Sequence, residues 1–167
     1  DPTTHQVTEK SMSGSDQINQ SDNLPKLSKE AATQLLSQAK AQIQAGQFAD
    51  AQGLLERLLT DYPNHSEALY FVSVAQRLSE NYAGALSSLQ KLITIEPSYG
   101  RAYQERGHAF MARNETDEAR SAFQQAVRLN SSLIASWRML MTLTDVGVDK
   151  NAHDYFKDQY QRLAALP

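Results

Sequence analysis

The feature that most constrains this chain is a 34-residue period. Pro63 and Pro97 stand 34 residues apart, and Ser131 holds the next equivalent place. The same spacing relates Ala51, Ala85 and Ala119, then Leu55, Leu89 and Phe123, then Phe48, Tyr82 and Thr116. Ahead of these run Leu35, Leu69, Tyr103 and Trp137, followed by Ala39, Ser73, Gly107 and Met141. Several independent columns at one period mean that the chain is built from similar units stacked in a row, each burying its apolar side against its neighbours.

Within each period the apolar residues recur at helical spacing, and no alternating strand pattern interrupts them. The breaks fall at "AGQF", "DYPNHS", "SENY", "EPSYG", "RNET", "LNSS" and "GVDK". The expected helices are therefore paired: about 28–45 with 48–60, 66–79 with 82–94, 100–113 with 116–129, and 134–146 with 150–163. Ser28 is available as the first N-cap. Pro63 and Pro97 end the second helix of their pairs, because proline lacks the amide that would continue the helix. Two antiparallel helices approach closely only where side chains are small, so the column Ala39, Ser73, Gly107 is expected to face Ala51, Ala85 and Ala119. The larger residues at 35, 69, 103 and 137 then fill the space between helices, with Leu55, Leu89 and Phe123 from the partner.

An aromatic residue or leucine, a small residue, an alanine, a Phe-like residue and a helix-ending proline at this period resemble the tetratricopeptide repeat. The resemblance covers residues 32 to about 163. It implies an all-α fold, a right-handed superhelical stack of about four antiparallel helix pairs, with repeats at about 32–65, 66–99 and 100–133 and a degenerate one at 134–163. In the last, Met141 replaces the small residue, and Ala152 sits one residue early for its column. Residues 1–26 have another texture, mostly Ser, Asp, Gln, Asn and Thr with few sizeable apolar groups. That composition cannot offset the entropy of ordering, and a disordered tail is expected ahead of a repeat domain at 27–167.

The resemblance implies that the first helix of each pair lines a concave groove that binds a peptide or protein. By position, the partner-binding residues expected there are Lys40, Tyr70, Phe71, Arg77, Arg101, Gln104, His108 and Arg138, with Tyr70 and Phe71 as aromatic anchors and Arg101 and Arg138 as carboxylate partners. The carboxylate clamp of chaperone-tail binders in this family falls here on Leu36, Lys40, Phe71, Arg101 and Glu105. Only Lys40 and Arg101 could act electrostatically, so that mechanism is not expected. The implied function is a non-catalytic interaction scaffold. Two further resemblances are weaker. "ASWRMLMTLTDVGVDKNAHDYF" is similar to the last repeats before the catalytic part of bacterial repeat-containing sulfotransferases, which implies the N-terminal region of a larger enzyme. Three such repeats in a chain of this size also resemble translocator secretion chaperones, although the N-terminal segment is too polar for a dimerisation helix.

Composition narrows the alternatives. The chain has no cysteine, which removes disulfides, thiol nucleophiles and Cys-based metal sites. His5, His65, His108 and His153 are far apart and form no HExxH, and no phosphate-binding or nucleophile-elbow motif occurs. No cofactor, metal or catalytic residue is expected. Glu115, Asp117 and Glu118 open a helix, where acids complement the macrodipole. A net charge of -3 disfavours nucleic acid as a partner. No apolar run is long enough to span a bilayer, and no signal segment is seen, so no membrane insertion and a cytoplasmic location are expected.

Overall fold

The computed structural model describes residues 25–167; of the tail expected at residues 1–26, residues 1–24 lie outside the described residues. The described residues form eight α-helices in sequence: α1 (Lys29–Gln44), α2 (Phe48–Asp61), α3 (Ser66–Leu78), α4 (Tyr82–Ile95), α5 (Gly100–Ala112), α6 (Thr116–Leu129), α7 (Ile134–Leu143) and α8 (Lys150–Ala164). Each helix packs on the next, and α3 additionally touches α1 and α5, so the first helices of successive pairs line one side of a right-handed stack.

Local chemistry fixes the ends of the helices. Ser28 Oγ accepts from the amide of Ala31 at 3.0 Å, His65 Nδ1 from Ala68 at 3.2 Å, Asn81 Oδ1 from Gly84 at 3.0 Å, and Asp149 Oδ1 from Ala152 at 2.9 Å. Each bond satisfies an amide that the helix leaves free. His65 and Asn81 thereby serve as caps, and Asn130 holds a turn by accepting from the amide of Ser132 at 3.0 Å.

The turn inside each of the first three pairs recurs with the sequence period. Gly46, Glu80 and Asn114 all have left-handed backbones, with φ of 77°, 64° and 61°. The amide after each reaches back to a carbonyl five residues earlier: Gln47 to Gln42 at 2.8 Å, Asn81 to Gln76 at 2.8 Å, Glu115 to Phe110 at 2.9 Å. This is the Schellman closure of a helix end, and it reverses the chain within two residues. Between pairs the chain turns differently. Tyr62, Glu96 and Asn130 leave the helical region, with φ of -129°, -135° and -146° and ψ of 70°, 80° and 99°. Proline at 63 and 97 disfavours the helical conformation at the residue before it. At Asn130 the side-chain bond to Ser132 takes over where proline is missing.

Packing inside the pairs refines the sequence expectation. Ala39, Ser73, Ala51, Ala85 and Ala119 are fully buried, as are Leu55, Leu89 and Phe123. The nearest neighbours of Gly107 are ring atoms of Phe123 rather than Ala119: a Cβ built at Gly107 would lie 2.6 Å from Phe123 Cε1. In the third pair the two columns are complementary in volume, glycine against phenylalanine. In the fourth pair the register slips. Phe156, Tyr160 and Leu163 pack against a core of Phe123, Trp137 and Leu140, while Tyr155 stays 55 % exposed. Trp137 is buried and donates its indole N–H to the Ser131 carbonyl at 2.9 Å. α7 ends at Leu143, three residues before the sequence pattern suggested, because Thr144 leaves the helical region at φ -104°, ψ 114°.

The N-terminal edge of the stack is closed by the chain itself. The Leu27 amide donates to Asp61 Oδ2 at 2.7 Å, Tyr62 Oη donates to the Leu27 carbonyl at 2.6 Å, and Lys26 lies 4.8 Å from the Tyr62 ring centre. Lys26, which composition groups with the tail, is thus held against the end of α2. The Leu27 amide, more than the neighbouring Arg57, holds the Asp61 carboxyl below its ordinary range.

Two outcomes follow from this packing. Gly107→Ala should destabilise the chain by about 1–3 kcal/mol through overpacking, and Phe123→Leu on the same background should recover most of the loss. Urea unfolding of the single and double variants checks this; a Gly107→Ala variant of unchanged stability would contradict it. Glu80→Gly should instead stabilise by about 0.5–1 kcal/mol, since a side chain in the left-handed region costs more than the added freedom of glycine. A lowered midpoint in the same unfolding experiment would count against that.

Candidate concave groove

The eight expected groove residues all lie on first helices, where a turn of 100° per residue brings positions 101, 104, 105, 108 and 111 of α5 to one face. Polar contacts tie each first helix to the next across this face. Between α1 and α3, Lys40 Nζ pairs with Glu67 and lies 4.8 Å from the centre of the Phe71 ring. Both partners of that ion pair are over a third exposed, so it contributes at most about 1 kcal/mol.

Between α3 and α5 there are two links. The guanidinium carbon of Arg101 sits 4.4 Å above the Tyr70 ring, and its Nη2 donates to Tyr70 Oη at 3.2 Å. Arg77 Nε pairs with Glu105, whose side chain is only 6 % exposed. A buried carboxylate needs such a partner, because an unpaired one would lose several kcal/mol of hydration. Between α5 and α7, Ser136 Oγ donates to Gln104 Oε1 at 2.8 Å, with Ser136 fully buried.

Tyr70 departs from its expected role. It is 6 % exposed, packed edge-on to Phe71 at 5.1 Å and against Tyr99 at 5.8 Å, with Arg101 on top. Such a residue cannot be an anchor that a ligand covers; it is the floor on which Arg101 rests. Burial pushes its phenol above the ordinary range, so the hydroxyl stays protonated and neutral. Arg77 is likewise committed to Glu105. Phe71 is half-buried beneath Lys40, and Leu36, the first clamp position, is buried.

Arg138 is exposed and makes no ion pair among the described residues, and Arg101 is exposed with no carboxylate partner among them. Both groove acids brought to this face, Glu67 and Glu105, are by contrast already paired. The arginines of this face with no carboxylate partner among the described residues are Arg101 and Arg138. Glu67 and Glu105 fall on the groove face by position, and the structure adds their pairing with Lys40 and Arg77. Opposite charges 27 and 28 residues apart are the signal for it, because that offset joins neighbouring first helices in a 34-residue repeat. Ser136 and Tyr99, absent from the expected partner-binding set, leave no such trace.

His108 is half-buried and packs edge-on against Phe123 at 5.1 Å. Burial lowers its pKa below the ordinary histidine value, Glu105 opposes this, and Arg77 and Arg138 add to the lowering. The imidazole is therefore neutral at pH 7, able to donate one hydrogen bond and accept one. Because the folded value lies below the unfolded value of about 6.5, the unfolded chain binds the proton first as pH falls. This contribution to stability is intact above pH 6.5 and lost as pH drops through the depressed folded value. Thermal unfolding from pH 7 to pH 5 should accordingly show a steeper fall in Tm for the natural chain than for His108→Gln. Parallel slopes for the two would disprove the assignment.

The described helices include none long and apolar enough to cross a membrane. Comparison with known proteins agrees with the geometry. The chain matches the tetratricopeptide repeat over residues 36–100 and again over residues 100–133, together more than half its length. The general transcriptional corepressor trfA of Dictyostelium discoideum is 28 % identical over 92 residues, which is 51 % of this chain but 7 % of that protein. Among solved structures, MamA from Desulfovibrio magneticus RS-1 superposes with a TM-score of 0.64 at 23 % identity, over 81 % of this chain and 75 % of the other. The first repeat domain of Spaghetti (RPAP3), solved with an HSP90 peptide, gives 0.66 at 17 % identity over 74 % and 98 %. The Sgt2 domain from Aspergillus fumigatus gives 0.65 at 19 % identity over 85 % and 88 %. With its 34-residue columns, its paired helices and these matches, the chain belongs to the tetratricopeptide repeat family.

Proposed function

We propose that the chain is a non-catalytic interaction scaffold whose concave face binds an extended segment of a protein partner that carries a carboxylate. The observation that carries this reading is the division of charge in the groove. Glu67 and Glu105 are neutralised by Lys40 and Arg77, whereas Arg101 and Arg138 have no carboxylate partner among the described residues. Arg101 is oriented in advance by stacking on Tyr70, so a carboxylate would meet a guanidinium whose freedom is already reduced. Gln104, held by Ser136, and neutral His108 supply hydrogen bonds for the backbone of such a segment.

The peptide seen with the related domain, SRMEEVD, is acidic and supports the same chemistry by analogy. It does not carry over the clamp, since Leu36 and Glu105 are buried and Phe71 stands where a polar clamp residue would be needed. The recognition proposed here rests on two arginines spread along the groove.

The test is selection of binders from a displayed peptide library against the purified chain, followed by anisotropy measurements. Arg101→Gln and Arg138→Gln should each weaken the selected peptide by about ten- to a hundredfold, the loss of a charged hydrogen bond worth about 1.5–3 kcal/mol. Circular dichroism should show the fold intact. An unchanged Kd in the double variant would remove this face as the binding site.

A further inference from the structure

The opposite face of α5 carries a feature that the groove does not use. Tyr103, Arg106 and Phe110 recur at helical spacing and point about half a turn away from Arg101, Gln104 and His108. With Glu118, Gln125 and Arg128 of α6 they line an open recess of about 460 Å³. One repeat earlier the same positions are Leu69, Val72 and Gln76, and they floor a recess of about 680 Å³ between α2 and α4.

Arg106 is the anomaly. Its column reads Gln38, Val72, Arg106 and Leu140, and Val72 and Leu140 are buried core residues. An arginine here is half-buried, its guanidinium carbon 5.6 Å from the centre of the Phe110 ring. No carboxylate among the described residues pairs with it or with Arg128; Glu118, the one acid lining the recess, forms no ion pair with either. A stem lying along apolar surface would explain the position of the side chain. It does not explain two arginines converging on one recess with an aromatic floor and no carboxylate in an ion pair with either.

We infer that this recess is a second docking site, on the convex face, for an acidic peptide segment. Arg106 and Arg128 would hold its carboxylates in charge-assisted bonds, and Tyr103 and Phe110 would cover an apolar side chain between them. Charge complementarity selects the occupant. The two guanidiniums attract anions, while Glu118 at the edge limits the charge that can enter, which disfavours a polyphosphate backbone and fits one or two carboxylates.

The probe is the peptide EEFEE, with QQFQQ as its uncharged counterpart, titrated into the full chain and followed by backbone amide resonances. EEFEE should shift Arg106, Phe110, Gln125 and Arg128, and QQFQQ should not. Arg106→Val, which installs the residue of the preceding repeat, should weaken the response about tenfold or more. Arg128→Gln, at an exposed position, gives the same readout if the Val variant folds poorly. The double variant Arg101→Gln, Arg138→Gln should leave these shifts intact, so failure of the concave reading would not touch this one. Equal shifts with both peptides, shifts confined to the concave face, or a response to inorganic phosphate but not to EEFEE would overturn it.

Discussion

The close approach of two helices within each pair is the constraint on which the rest depends. Ala39 and Ser73 of the first helices and Leu55, Leu89 and Phe123 of the second are all fully buried, and Phe123 lies directly against Gly107. The third pair shows how narrow the tolerance is, since phenylalanine fits only because residue 107 has no side chain. Close packing at this line sets the spacing of the pairs, and the spacing of the pairs sets the distance between first helices. Only at that distance can Lys40 reach Glu67, Arg77 reach Glu105 and Arg101 lie on Tyr70.

The residues facing the groove are therefore part of the scaffold. Its polar contacts link α1, α3, α5 and α7 in succession, so several residues that look like ligand contacts in the sequence are spent on holding neighbours together. This leaves the solvent-facing chemistry sparse and cationic. The convex side follows another logic: at equivalent positions one recess is floored by Leu69 and Val72 and the next by Tyr103 and Arg106. A repeat protein can vary such positions without disturbing the stack, because each unit contacts only its neighbours.

Much of the fold was legible in the sequence. The prolines at 63 and 97, the alanine column and the large residues at 35, 69, 103 and 137 located the pairs and their breaks within a few residues. The slipped register of the last helix was also visible in the early Ala152. Less legible were the left-handed turns at Glu80 and Asn114, where only Gly46 announces itself by residue type. Helix geometry groups residues three, four or seven positions apart on one face, which is how Arg101, Gln104 and His108 fall together. Exposure on that face was not readable: Tyr70 and Arg101 belong to the same surface, yet one covers the other.

Sequence alone determined the period, the all-helical class and the pairing of helices. These depend on local spacing and side-chain size, which one chain segment specifies by itself. The tertiary structure decided which charges are spent and which are free. That outcome depends on distances between residues about 30 positions apart, where a shift of one helical turn would exchange a buried ion pair such as Arg77–Glu105 for an open guanidinium such as Arg138.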